Sequence, residues 1–127
     1  MSDYEKRTIK SPTRPPLTEV ITLKPKLGGT KHDQDKPRLE LVPPKALIEV
    51  AKVLTVGAAK YEDHNWARGF KWSRLYGASL RHILAHMGGE DLDQETGLSH
   101  IAHAICGLMF LLEHEVDKLG QDDRRKS

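Results

Sequence analysis

A chain of 127 residues can build one modest core and is too short for two ordinary domains. Its 20 basic and 18 acidic residues nearly cancel, leaving a formal charge of +2 and an average field with no reason to hold nucleic acid. The single cysteine, Cys106, excludes an intrachain disulfide, the start MSDYEKRTIK lacks the apolar run of a signal peptide, and ICGLMFLL falls far short of the roughly 20 apolar residues that span a membrane. The expectation is a cytoplasmic, all-α domain with no stable nucleic-acid or membrane partner.

Residues 1–35 hold Pro12, Pro15, Pro16, Pro25, Gly28, Gly29 and many charges, a composition that predicts an arm either flexible or docked on a partner. Within it LTEVITLK at 17–24 is a short β-branched run, suited to a strand or an extended arm. The helical domain is expected over 36–119, anchored by Leu39, Leu41 and Val42, with Pro43 and Pro44 leading into a helix where a missing proline amide costs least. That helix runs over 45–60 on a stripe of Leu47, Val50, Ala51, Leu54 and Ala58. A polar loop over 61–72 carries both tryptophans, Trp66 and Trp72. They either cover one end of the bundle or offer a base-stacking surface beside Asn65, which could read a base edge.

Ser73 is a good N-cap for a second helix ending at Met87 before Gly88 and Gly89, with Tyr76, Leu80, Ile83, Leu84 and Met87 as its core stripe. His82 and His86, one turn apart and beside Arg81, then fall on another side. A third helix is expected from 98 or 99 to 119, with Ile101, Ile105, Leu108, Leu112 and Val116 facing inward and His100, His103 and Gly107 on a neighbouring stripe. Gly107 would let a backbone or a ligand approach closely. The tail, 120–127, should fray. A core this small makes a homo-oligomer a reasonable source of further burial.

The densest chemistry is His82, His86, Glu90, Asp91, Asp93, Glu95, His100 and His103, on two helices and the short acidic loop that joins them. Imidazoles and carboxylates converging there could hold magnesium, manganese, iron or zinc, although the spacing matches no strong zinc signature. Singly, each has a plainer reading: a packed or solvent-facing histidine, an acid in a solvated turn, or Glu95 favouring the start of a helix electrostatically. Lys36 and Arg38, alternate residues of an extended segment, would present two cations on one side to neighbouring phosphates. A basic patch together with an acidic metal-binding loop points to a nucleotide di- or triphosphate.

The segments KPRLELVPP at 36–44, GAAKYEDHNW at 57–66, Arg81-His82, and GEDLDQETGLSHIAHA at 89–104 resemble a phage-associated family named for dATP/dGTP diphosphohydrolase domains, over about residues 31–115. More widely the chain resembles the all-α MazG-like nucleotide pyrophosphohydrolases, although His100-Ile101-Ala102-His103 stands where that superfamily places carboxylates. The resemblance implies MazG-like packing of three main helices and hydrolysis of a purine deoxynucleoside triphosphate to monophosphate and pyrophosphate, inside a host cell during phage infection. It implies Mg2+ or Mn2+ and no organic cofactor. Glu95 and His100 would be catalytic, with His82, Glu90, Asp93, Glu95 and His103 on the metal and Lys36, Arg38, Asn65, Trp66 and Arg81 on the nucleotide. A protein that sequesters the nucleotide without hydrolysing it is the alternative.

Overall fold

Three helices and two short 3₁₀ turns make up the regular structure of residues 35–126, the part of the chain described by this computed structural model. The arm expected before residue 35, with its run at 17–24, lies outside the described residues. The chain divides into two units. In the first, described over 35–42 and at Lys126, a 3₁₀ turn at Leu39–Leu41 is closed by Val42 N–H donating to Leu39 O. The second, Pro43–Arg125, holds α1 (Pro44–Lys60), a 3₁₀ turn at Asn65–Arg68, α2 (Trp72–Met87) and α3 (His100–Asp117).

Each helix starts where its exposed amides find acceptors or need none. Pro44 opens α1 with a ring that has no amide to satisfy. Ser99 caps α3, its hydroxyl accepting from the N–H groups of Ile101 and Ala102 at 3.1 and 3.4 Å. For α2 the expected cap is corrected: Ser73 lies inside the helix and Lys71 occupies the cap without a side-chain bond. Its orphan donors are met from far along the chain. Trp72 N–H donates to Gln121 O at 3.0 Å, and Asp123 accepts from both the N–H and the hydroxyl of Ser73. Residues 120–125, expected as a tail, return across the start of α2, with Gln121 bridging to Lys71.

The apolar core is a small cluster of Val50 and Val53 from α1 with Ala102 and Cys106 from α3, bordered by Leu54, Leu98 and Phe110. Between α2 and α3 the packed face of α2 is Trp72, Leu75, Ser79 and His82, at spacings of three and four, and not the expected Tyr76, Leu80, Leu84 and Met87. Leu84 is 62% exposed. Likewise Ile101, Ile105, Leu108, Leu112 and Val116 of α3, and Leu47 and Ala51 of α1, lie outward. The reason is in the residues that replaced them inside: Gly107 faces Ser79, whose hydroxyl donates to Ala104 O at 3.2 Å, so the two backbones approach more closely than leucine would permit. Among the described residues no helix is long and apolar enough to cross a membrane.

Candidate metal centre

Because the small-residue face of α2 packs on α3, the histidines of both helices are drawn between them. His82 Nδ1 lies 2.9 Å from His100 Nδ1, and the His82 ring stacks on His103 with centroids 4.5 Å apart and planes 9° from parallel. His100 is buried at the first turn of α3, and its Nε2 stands 2.9 Å from Glu90 Oε2. A carboxylate at that distance holds the ring proton on Nε2. His100 Nδ1 is thereby left as a lone pair directed at His82.

The loop between the helices folds to aim its carboxylates. Gly89 and Gly97, at φ 100° and 70°, supply turns that β-carbon-bearing residues resist. Between them Asp93 N–H donates to Leu98 O and Gly97 N–H to Asp93 O, both at 2.8 Å, while His100 N–H reaches Asp91 O at 3.0 Å. Asp93 Oδ2 accepts from the N–H and hydroxyl of Thr96 at 3.0 and 3.1 Å, and Thr96 Oγ1 is 2.7 Å from His103 Nε2. One donor atom each from His82, Asp93 and His100 lie within 4.8 Å of one another. The set fits a divalent cation: two imidazole nitrogens and a carboxylate converge from two helices and a hydrogen-bonded loop, and a second carboxylate fixes the tautomer of the buried imidazole.

The electrostatics keep these groups in ligand form. Burial pushes the pKa of His82 down, with the neighbouring His103 adding to it; burial does the same to His103 against the pull of Asp93. Burial alone would raise the Asp93 carboxyl, but the two Thr96 hydrogen bonds and the adjacent imidazoles outweigh it and leave it below its usual range. Glu90 is also held low, first by His100 and then by the Gln94 amide.

A cavity of about 670 Å³ opens beside this cluster, bounded by the C-terminal half of α1, the loop over 61–66 and α3. His82, Asp93 and His103 belong to its wall, and Trp66, stacked on Phe110 at 6.4 Å, forms part of another side. Its size is that of an ordinary small-molecule site. Of the residues singled out in the sequence, Asn65, Trp66 and Glu95 also line it. Glu95 is not in the metal cluster; its Oε1 accepts from Lys60 Nζ at 2.7 Å. Arg81 is exposed and not among the lining residues, and His86 faces Asp91 at 3.8 Å outside the cluster. Lys36 and Arg38 belong to the other unit, where Arg38 pairs with Glu40 at 2.7 Å. Among the cavity residues to which the sequence reading gave no role are Lys60 and Thr96, although both stand in quoted segments, GAAKYEDHNW and GEDLDQETGLSHIAHA.

Fold and site together define an all-α domain with a histidine and carboxylate cluster able to coordinate a divalent metal, beside a cavity. The chain belongs to the family described as dATP/dGTP diphosphohydrolase, N-terminal, whose model matches residues 26–124. It is 46% identical over 101 residues to a dATP/dGTP diphosphohydrolase of Salmonella phage PMBT28, an alignment covering 80% of this chain and 34% of that relative. The chain thus spans about a third of the length of the relative it matches. No solved structure matches it.

Proposed function

We propose that this domain hydrolyses dATP and dGTP to monophosphate and pyrophosphate with a divalent cation held by His82, Asp93 and His100. The observation that carries the reading is that His82 and Asp93 serve both places: they are two of the three converging donors and they line the cavity. The family and the name of the phage relative support the substrate. Paired imidazoles favour Mn2+ over Mg2+, which prefers oxygen donors and its own waters. A cation bound there would supply charge to the substrate phosphates and acidify water.

The chain's own groups account for the remainder. Glu90 holds the Nε2 proton of His100 and so keeps Nδ1 available, which makes it a positioning residue and not a ligand. His103, neutral, donates its Nε2 proton to Thr96 Oγ1, whose own hydroxyl donates to Asp93, and its Nδ1 lone pair is left to take the proton of the attacking water as the bond to the α phosphorus forms and the bond to the pyrophosphate oxygen breaks. Lys60, held by Glu95, offers a cation to the phosphates, the role first assigned to Lys36 and Arg38. Trp66 stacks the purine and Asn65 meets its edge. MazG-like packing and a homo-oligomer complete the proposal, supported by the three-helix body and by the apolar residues that α2 and α3 leave outward.

The test incubates purified protein with each purine deoxynucleoside triphosphate and Mn2+ or Mg2+ and resolves the products. Monophosphate with pyrophosphate is expected, faster with Mn2+, and His103→Gln, which removes the group placed to accept the proton of water, should lower turnover while nucleotide binding persists. Diphosphate with phosphate would place attack at the γ phosphorus and refute the reaction as written. Tight binding without either product set would favour sequestration.

A further inference from the structure

The least exposed large side chain among the described residues is polar: His114, on α3, is 0% exposed and lies outside the metal centre. Its Nε2 accepts from Phe70 N–H at 3.0 Å. Accepting there puts the ring proton on Nδ1, and Nδ1 is buried without a hydrogen-bond partner. A leucine or phenylalanine would fill the space without that unmet donor. What neither could supply is an acceptor for the Phe70 amide, which would then be the buried orphan. What the histidine supplies is one lone pair.

The segment that this lone pair fixes is a cavity wall. Phe70 lines the cavity, as does Trp66 four residues earlier, and the Phe70 ring stacks on His114 with planes 2° from parallel and centroids 6.0 Å apart. From the other side the chain after α3 clasps the same backbone. Gln121 N–H donates to Phe70 O at 3.1 Å, Trp72 Nε1 donates to Leu119 O at 3.1 Å, and Arg124 lies 4.9 Å above the Trp72 ring. The fit leaves no slack. Gly69 and Gly120, at φ 86° and 69°, meet backbone to backbone, and a Cβ at Gly120 would come within 2.3 Å of Phe70 O and 2.7 Å of His114 Cδ2.

We propose that His114 and residues 119–123 are a brace that positions the Trp66–Phe70 wall of the cavity, and so sets affinity for the nucleobase without touching the metal centre. This rests on the nucleotide reading above. His114 is a positioning residue: it acts through Phe70, on the far side of the cavity wall from substrate.

The experiment compares full-length wild type with His114→Leu, His114→Gln and Gly120→Ala. Three quantities are read: Mn2+ affinity by electron paramagnetic resonance, affinity for the α,β-methylene analogue of dGTP by calorimetry, and amide exchange. His114→Leu should weaken analogue binding about tenfold and speed exchange over 66–70 by a comparable factor, leaving Mn2+ affinity and the amides of 100–107 within about twofold. Glutamine, whose amide oxygen can replace Nε2 as acceptor, should restore most of both losses. If the leucine variant does not fold, Gly120→Ala, whose Cβ would press on both the Phe70 backbone and the His114 ring, decides. Unchanged exchange over 66–70, or Mn2+ and analogue affinities falling together with α3 deprotected, overturns the brace. Should wild type bind no analogue, the nucleotide reading fails separately, and the brace is judged on exchange against Mn2+ affinity.

Discussion

Replacing Gly107 by alanine tests whether the approach of α2 to α3 builds the metal centre. The new Cβ would stand 2.3 Å from Ser79 Oγ and 3.9 Å from Leu75 O, so only the serine hydroxyl is in conflict. Ser79 is 2% exposed and its hydroxyl is bonded to Ala104 O. It can rotate away only by leaving a buried hydroxyl unbonded, at a cost of about 1–3 kcal/mol, or the helices must separate, with an overpacking cost in the same range. Against this stands a gain of about 1 kcal/mol in helix propensity from glycine to alanine. The expected net loss is up to about 2 kcal/mol, a fall in melting temperature of up to roughly 8–16 °C for a domain of this size. Separation would also carry His82 from His100 and His103, so Mn2+ affinity should fall more than stability alone explains. Adding Ser79→Ala removes the clashing oxygen while its own Cβ, 3.7 Å from the new one, stays in ordinary contact. The double variant should therefore recover stability and Mn2+ binding, with a coupling energy of about 1 kcal/mol or more in a double-mutant cycle read by urea denaturation. Additive single effects, or a Gly107→Ala protein that binds Mn2+ like wild type, would refute the reasoning.

Three other outcomes follow from the same geometry. Glu90→Gln should weaken Mn2+ binding by about 10- to 100-fold while the helical signal is kept, because the neutral amide no longer makes His100 a stronger donor; an unchanged binding isotherm would count against that role. Metal-free protein should lose stability as pH falls from about 6.5, since the unfolded chain binds protons on His82 and His103 at the ordinary value of 6.5 while the folded chain, with both values depressed, resists them until lower pH. A further loss belongs below the ordinary carboxyl values of 4.5 and 3.8, where Glu90 and Asp93, held low in the fold, finally protonate; a urea midpoint flat from pH 7 to about 5 would contradict the first step. Light scattering should give a mass above the 14.3 kDa of one chain, and Leu112→Glu on the outward face of α3 should return it toward that value; a wild-type monomer at micromolar concentration would reject the oligomer.

The helices were legible because their signals are local: Pro44 and Ser99 mark starts that need no tertiary help, and Met87 precedes two glycines. The start of α2 was not, because its cap is Asp123, fifty residues away, and no window of sequence contains both partners. Periodicity also misled on which face is inside. Leu80, Leu84 and Met87 make a better apolar stripe than Leu75, Ser79 and His82, yet the second set is the packed one. Hydrophobicity ranks faces by transfer free energy and cannot see that Ser79 and Gly107 let two backbones approach. The concentration of histidines and acids over 82–103 was visible as composition. Its division of labour was not: that Glu90 grips His100, that Thr96 aims Asp93, and that Glu95 pairs with Lys60 are facts of loop geometry.

One consequence concerns what holds the domain together. Three of the buried positions of α2 and α3 are the polar Ser79, His100 and His114, where aliphatic side chains would each contribute about 1.5–3 kcal/mol of burial, and the apolar cluster is confined to a few residues of α1 and α3. An interface built this way is stabilised by hydrogen bonds whose net worth is about 1 kcal/mol each, so the metal-free body is expected to be marginal. A cation bound by His82, Asp93 and His100 joins both helices and their connecting loop, and at 100 times its dissociation constant it would add about 2.7 kcal/mol to the folded state. The centre would then tie together the two helices that the small apolar core does not join. Substitutions that improve packing at 79 or 100 should raise metal-free stability at the expense of the centre, and those that weaken the centre should be felt as loss of stability when metal is present and far less when it is absent.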